Sequence, residues 1–461
     1  MSKKTARELT LGALAWPIFV EQALRILIGT VDTFMVSHVS DGAVAALGVA
    51  TQVVILAIIL FNFIGIGSSV VITHHLGAGD REGADRITRA AVGVNTWVGL
   101  VVSLLVAFFA DPLLHLMQLP EALHHYARPF LVLMGGTLFL EAQNIAVAST
   151  LRAHGHTRAV MLTTGFQNVL NALGNALLLF GLFGLPKLGV PGVAVSGIVS
   201  RLVCFVILRA LLPRTTGVRL NVRDYFVVPP VLVRRVLAIG LPAAGENLSY
   251  WLAVMTITSF ASQMGESSLA AFAYSRQLTI WVMLGAIAIA LANEILVGHL
   301  IGAGEIERAK RVLVDNLKKG FVMSLTCGGI VALATPYLMT IFTRDPAVIA
   351  GAVTLQRLGM LLEPGRVFNM VAVNGLRATG DARFPLFMGA CIMWGVWVPL
   401  AWLLGIHFEL GLAGLCLAMI TDEWLRGVFN LGRWRRGGWI KHAVRSRALV
   451  SKAEERVEPA T

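Results

Sequence analysis

The sequence predicts an all-α integral membrane protein of twelve transmembrane helices, arranged as two pseudo-symmetric six-helix bundles around a central cavity. Three observations predict it. The chain is 56% apolar and only 14% charged, with a mean hydropathy of +0.74, whereas soluble domains carry about 25% charged residues. Apolar runs of about 20 residues recur along it, each long enough to cross a hydrocarbon core of about 30 Å. Finally, the second half repeats the first at a constant offset: Pro17 falls on Pro242, 225 residues later.

The first-half spans are expected near Leu11–Val36, Val53–His74, Ala90–Ala110, Phe130–Leu151, Ala159–Leu182 and Gly192–Leu212. Those of the second half fall near Leu237–Ala261, Leu278–Leu300, Gly320–Phe342, Val353–Leu376, Phe384–Leu404 and Gly411–Leu431. Met1-Ser2-Lys3-Lys4 leads into the first span without a small-residue cleavage site, so the span reads as a retained helix and not a signal peptide. The domain plan is a six-helix lobe over 1–212, a cytoplasmic connector over 213–235, a second lobe over 236–431 and a basic, partly disordered tail over 432–461.

The offset holds for polar residues as well as apolar ones. Glu21 matches Glu246, Gln52 matches Gln277, His74 matches His299, and Asn144 matches Asn369. Gly77-Ala78-Gly79-Asp80 matches Gly302-Ala303-Gly304-Glu305, and Leu151-Arg152-Ala153 matches Leu376-Arg377-Ala378. Six spans separate equivalent positions, so both copies enter the membrane in the same direction. This is a parallel repeat about an axis along the membrane normal, an arrangement found among transporters.

With twelve spans, both termini share one side. The opposite loops hold only Arg128, Lys187, Arg276 and Arg344, and Arg25, Arg201, Arg357, Arg366 and Arg426 lie within spans, leaving 29 of the 38 basic residues on the first side. The positive-inside rule places that side, with both termini, in the cytoplasm of a multi-pass protein of the inner or plasma membrane. The net charge of +12 follows from the same rule, so nucleic acid is not an expected partner. Cys204, Cys327, Cys391 and Cys416 all fall inside spans and read as packing residues, with no metal spacing and no disulfide framework. The Gly-Ala-Gly loops lack the Lys and Ser/Thr of a phosphate-binding loop and read as helix ends. No catalytic constellation is visible, so an enzyme is not expected.

The informative residues are the ionisable groups inside spans, since each is costly unless it meets a partner, protein or water. In the first span, Glu21, Arg25 and Asp32 share one helix face. Glu21 and Arg25 suit an i, i+4 ion pair. Glu21 and Asp32 lie about 16 Å apart along the axis, too far to share one site. Asp32 is the expected functional carboxylate, and Glu21 reads equally as functional or as half of a satisfied pair. The fifth span offers a polar ridge of Gln167, Asn168, Asn171 and Asn175, whose carboxamides can bond a carboxyl in either protonation state or serve as interhelical ties. Glu141, Gln143 and Asn144 in the fourth span are candidate cavity residues. In the second half Glu246, Asn247, Asn293, Glu294, Glu363 and Asn369 are candidates, with Glu363 and Arg366 spaced to pair. The copies differ in charge: Ile257 stands opposite Asp32, and Arg366 opposite Glu141. Ion coupling is therefore expected in the first lobe.

Several motifs together resemble the multidrug and toxic compound extrusion (MATE) family. They are Val31-Asp32-Thr33-Phe34-Met35, the two Gly-Ala-Gly-acid loops, Gly240-Leu241-Pro242, and the helix ends Leu151-Arg152-Ala153-His154-Gly155 and Leu376-Arg377-Ala378-Thr379-Gly380-Asp381. The resemblance covers roughly residues 8–430. It implies a monomeric antiporter without a cofactor that exports small amphipathic, often cationic compounds in exchange for H⁺ or Na⁺. It maps the family's first-helix aspartate onto Asp32, where Na⁺ is a candidate ligand, and its fifth-helix polar network onto Asn171 and Asn175. Members often carry an aspartate where this chain has Asn175, and some carry an acid where it has Arg366; the second departure argues against a second-lobe sodium site of their kind. The alternative within transport is a flippase for a lipid-linked oligosaccharide, whose pyrophosphate would call for several arginines in the cavity.

Overall fold

The structure is a computed structural model that describes residues 9–184 and 186–455. The Met1-Ser2-Lys3-Lys4 start and the last residues of the tail lie outside the described residues. Among the described residues the chain is helical and contains no strand. In the first half the principal helices are α1 (Leu11–Ser37), α2 (Asp41–Ala78), α3 (Arg81–Phe108), α4 (His124–Gly136), α5 (Leu138–Ala153), α6 (Thr157–Phe180) and α7 (Val190–Thr215). The second half has α8 (Pro230–Gln263), α9 (Glu266–Ala303), α10 (Ile306–Phe342), α11 (Pro346–Ala378), α12 (Arg383–His407) and α13 (Gly411–Arg435), followed by α14 (Ile440–Glu455).

Each of the twelve expected spans coincides with a helix. Seven are long and apolar enough to cross a membrane on that basis alone, and an eighth is a pair bent by 46°. The remaining four, α6, α8, α11 and α13, carry the buried polar residues discussed below, which lower their mean hydropathy. Large apolar side chains such as Phe108, Leu333 and Tyr337 are fully exposed on helix faces, as hydrocarbon-facing surfaces require.

The fourth span is broken between α4 and α5, after Gly135-Gly136-Thr137. Its interrupted backbone is satisfied by a neighbour: the Phe139 amide donates to Ser103 Oγ on α3 at 2.9 Å. A polar group freed inside hydrocarbon needs such a partner. The eleventh span, α12, widens into π-helical turns at Met393–Trp397 and Leu403–His407, on either side of Pro399, which lacks an amide donor.

The chain divides into two compact units. One contains Val20–Thr73 and Arg81–Gly240. The other contains the described residues through Phe19, His74–Asp80, and the chain from Leu241 onward. Within the second, Gly77 and Gly302 bring α2 and α9 into backbone contact: a Cβ at Gly77 would lie 2.1 Å from His299 O, and one at Gly302 would lie 2.1 Å from His74 O. The expected helix ends follow immediately, with Gly79 and Gly304 at φ of 89° and 77°.

The connector packs against the helices beside it: Arg209 donates to Tyr225 Oη at 2.6 Å and to Leu220 O at 2.8 Å, and Trp97 Nε1 donates to Phe226 O at 3.1 Å. Of the tail expected to be partly disordered, Ile440–Glu455 forms α14. It is held by Trp439, which is fully buried, stacks on Trp434 at 4.3 Å, and joins a cluster with residues of α9 and α11.

Candidate functional site

The first unit gathers charged residues from three helices. Glu21, on α1 and fully buried, accepts from Arg25 Nε at 3.2 Å and from Arg152 of α5 at 2.7 Å. Glu141 of α5 lies 3.6 Å from Arg25 and 3.4 Å from Arg201 of α7. The result is an alternating chain, Arg152–Glu21–Arg25–Glu141–Arg201, in which both carboxylates sit between two guanidinium groups. The expected Glu21–Arg25 pair is present, and Arg152 joins it across a sequence separation that no local pattern reveals.

Asp32 stands apart from this chain. It is half-buried on α1, and its Oδ1 accepts from Asn175 Nδ2 on α6 at 2.5 Å. The same amide group reaches Asn171 Oδ1 at 3.4 Å. Asn175 Oδ1 is buried and has no hydrogen-bond donor. Asp32, Asn171 and Asn175 therefore come together as expected, while Glu21 belongs to the arginine network about three turns away on α1.

The contrast in partners is sharp. Glu21, Glu141, Glu246, Glu363, Asp422 and Glu423 each have a guanidinium within 3.6 Å. No Lys, Arg or His nitrogen of the described residues lies within 4.0 Å of Asp32. A carboxyl inside a span with one amide donor and no basic group in direct contact has less to lose on taking up a cation than one already held in an ion pair.

The remaining first-half candidates act as ties. Gln143 donates to Val92 O and Thr96 Oγ1 on α3, at 3.2 and 2.8 Å. Asn144 donates to Arg201 O at 3.1 Å, and Asn168 to Leu24 O at 2.6 Å. These carboxamides bond backbone carbonyls of neighbouring helices, which keeps α1, α3, α5, α6 and α7 in register.

In the second unit, Glu246 of α8 pairs with Arg377 of α11 at 2.6 Å. This repeats Glu21–Arg152 at the 225-residue offset, so the matched Glu and Arg of the two copies are buried ion-pair partners. Asn247 bonds back to Ala243 O within α8 at 2.9 Å. Glu363 and Arg366 pair at 2.5 Å as their spacing suggests, and Asn369 donates to Glu423 at 2.9 Å. Sequence reasoning missed Asp422 and Glu423. Asp422 and Arg426 pair at 2.5 Å, Glu423 lies 3.2 Å from Arg426, and Asn430 bonds Asn369 at 3.2 Å. An Asp-Glu-x-x-Arg run inside a predicted span was the available signal. Arg276, expected in an outer loop, lies ten residues inside α9, about 15 Å from its start.

A family model described as MatE matches residues 17–177 and again 242–403, two blocks that begin at Pro17 and Pro242. The chain is 36% identical over 444 residues to the transporter YisQ of Bacillus subtilis, covering 96% of this chain and 98% of the relative. It is 27% identical to a probable multidrug resistance protein, NorM, of Thermotoga maritima, covering 95% and 94%. Among solved structures, a MATE transporter in the bent conformation superposes with a TM-score of 0.86 at 20% identity, covering 95% of this chain and 97% of that one. An outward-facing multidrug resistance MATE transporter gives 0.84 at 20% identity, covering 98% and 100%. Those likenesses show the fold; the family model and the B. subtilis relative show the lineage. The chain belongs to the multidrug and toxic compound extrusion family of membrane transporters.

Proposed function

We propose that this MATE transporter is a proton-coupled antiporter that exports small amphipathic, cationic compounds by alternating access, with Asp32 as the coupling carboxylate. One observation carries the reading: Asp32 has a single carboxamide donor and, among the described residues, no basic nitrogen within 4.0 Å, whereas the paired acids around it have guanidinium groups in contact. Asn175 supports either protonation state. Its Nδ2 donates to the carboxylate, and its unpartnered Oδ1 offers an acceptor for the O–H of the carboxylic acid. Taking up a proton from outside thus exchanges one hydrogen bond for another on the same side chain. A cationic substrate and a proton compete for the one charge, so each favours the state the other vacates, which is the requirement for antiport.

Basic residues concentrate on the side of the two termini, which supports placing both in the cytoplasm. The flippase alternative has less to rest on: Arg25, Arg201, Arg366 and Arg426 are each engaged by a carboxylate at 3.4 Å or less. The test is dye transport by reconstituted protein with pH and Na⁺ gradients imposed separately. An acid interior is expected to drive ethidium uptake well above protein-free vesicles, and a Na⁺ gradient at equal pH to add little. Dye movement indifferent to both gradients refutes the coupling.

A further inference from the structure

The second unit contains an open-sided cavity of about 180 Å³ between α8, α9, α11, α12 and α13. Its walls include the rings of Tyr250, Trp251, Phe272 and Trp397. The charged residues in its lining are Arg276 and Arg366; no Asp, Glu, Lys or His side chain among the described residues contributes to it. By the repeat offset, two of its lining positions correspond to acids of the first lobe: Ile257 takes the place of Asp32, and Arg366 that of Glu141. At these two positions the second copy replaces one acid by an apolar residue and the other by a base.

The two arginines are not equivalent. Arg366 is 4% exposed and is largely neutralised by Glu363, with Glu423 3.6 Å from its Nε. That distance exceeds a hydrogen bond, and Nε has no other acceptor. Arg276 is exposed and has no carboxylate within 4.0 Å among the described residues, so no side chain opposes its charge. The lining hydroxyls add to the donor set. Ser275 Oγ and Thr279 Oγ1 both accept from Gln356 Nε2, at 3.2 and 3.0 Å, which leaves each hydroxyl hydrogen free to donate.

We infer that this cavity is a binding site for a small aromatic carboxylate, distinct from the Asp32 site and selective for the opposite charge. Aromatic walls receive the ring, the unopposed guanidinium of Arg276 takes the carboxylate, and the hydroxyls complete its hydrogen bonds. Volume limits the size: a cavity of about 150 Å³ accommodates benzene, and drug-sized ligands need at least about 300 Å³. A single ring bearing one carboxylate fits.

The test is binding, not transport, so its outcome is independent of whether Asp32 couples ions. Purified full-length protein in phosphatidylcholine nanodiscs is titrated calorimetrically at pH 7.5 with benzoate, benzamide and benzylamine, with empty discs subtracted. Benzoate is expected to bind at least tenfold tighter than benzylamine. Arg276→Gln should weaken benzoate about tenfold and leave benzamide within twofold, and Arg276→Lys should restore most of the loss. Gly359→Leu should abolish binding of all three ligands by filling the cavity. Gly359 lines it, and a Cβ there meets nothing closer than Gln356 Oε1 at 3.5 Å, an ordinary contact that leaves the helix undisturbed. Benzylamine binding as tightly as benzoate in the unmodified protein overturns the proposal, as does unchanged benzoate affinity in Arg276→Gln.

Discussion

The repeated ion pairs make a quantitative prediction, because their two copies are wired differently. Glu246 has Arg377 as its one guanidinium within 4.0 Å among the described residues, whereas Glu21 is shared by Arg152 and Arg25. Both members of the Glu246–Arg377 pair are buried. Arg377→Gln therefore leaves a carboxylate stranded in a dry interior, a change that costs about 3–5 kcal/mol. Arg152→Gln leaves Glu21 with Arg25 at 3.2 Å and should cost less than half as much. At about 2.1 cal/mol/K of unfolding entropy per residue, 461 residues amount to about 1 kcal/mol/K, so Arg377→Gln should lower Tm by about 3–5 °C. Adding Glu246→Gln removes the stranded charge and should return most of the loss. The assay is fluorescence-detected size-exclusion after heating, on the parent, Arg377→Gln, Arg152→Gln and the double variant Glu246→Gln/Arg377→Gln. An Arg377→Gln protein as stable as the parent, or a double variant no better than the single, refutes the reasoning.

The helix crossing and the tail give further tests. Gly77→Ala places a methyl 2.1 Å from His299 O, which forces the helices apart and should destabilise by about 1–3 kcal/mol. Gly432→Ala, with nothing within 4 Å of the new Cβ, should stay within about 0.5 kcal/mol by the same heating assay. Trp439→Ala empties a fully buried indole site and should cost about 3–5 kcal/mol. It should also release α14, read as faster tryptic cleavage at Lys441 and Arg445 than in the parent.

The helices were legible in the sequence because hydrocarbon thickness demands runs of about 20 apolar residues, and the duplication was legible because its matches include Pro, Glu and Arg. The Asp32–Asn175 contact was accessible for the same reason: few polar residues occur in those spans, so those present were natural partners. Other features were hidden by physics that a local pattern does not encode. Arg152 and Arg377 looked like helix-end residues, and their carboxylates lie 131 positions away. Arg276 looked like loop because hydropathy rises only at Leu278, although α9 begins at Glu266. The Arg209–Tyr225 bond that ties down the connector and the Trp434–Trp439 stack that anchors α14 likewise had no local signature. Asp422 and Glu423 lie in the last span and have no polar counterpart in the first half, where Gly197 and Ile198 stand at the matching positions.

Ion coupling at Asp32 is tested most directly by Asp32→Asn in reconstituted vesicles, with ethidium transport measured under an imposed proton gradient. The substitution keeps the side chain's size and its acceptor for Asn175 Nδ2 while removing the titratable charge. Loss of gradient-driven transport to the level of protein-free vesicles, in a protein that still elutes as a folded species, is the expected result. Full proton-driven transport by Asp32→Asn would contradict it.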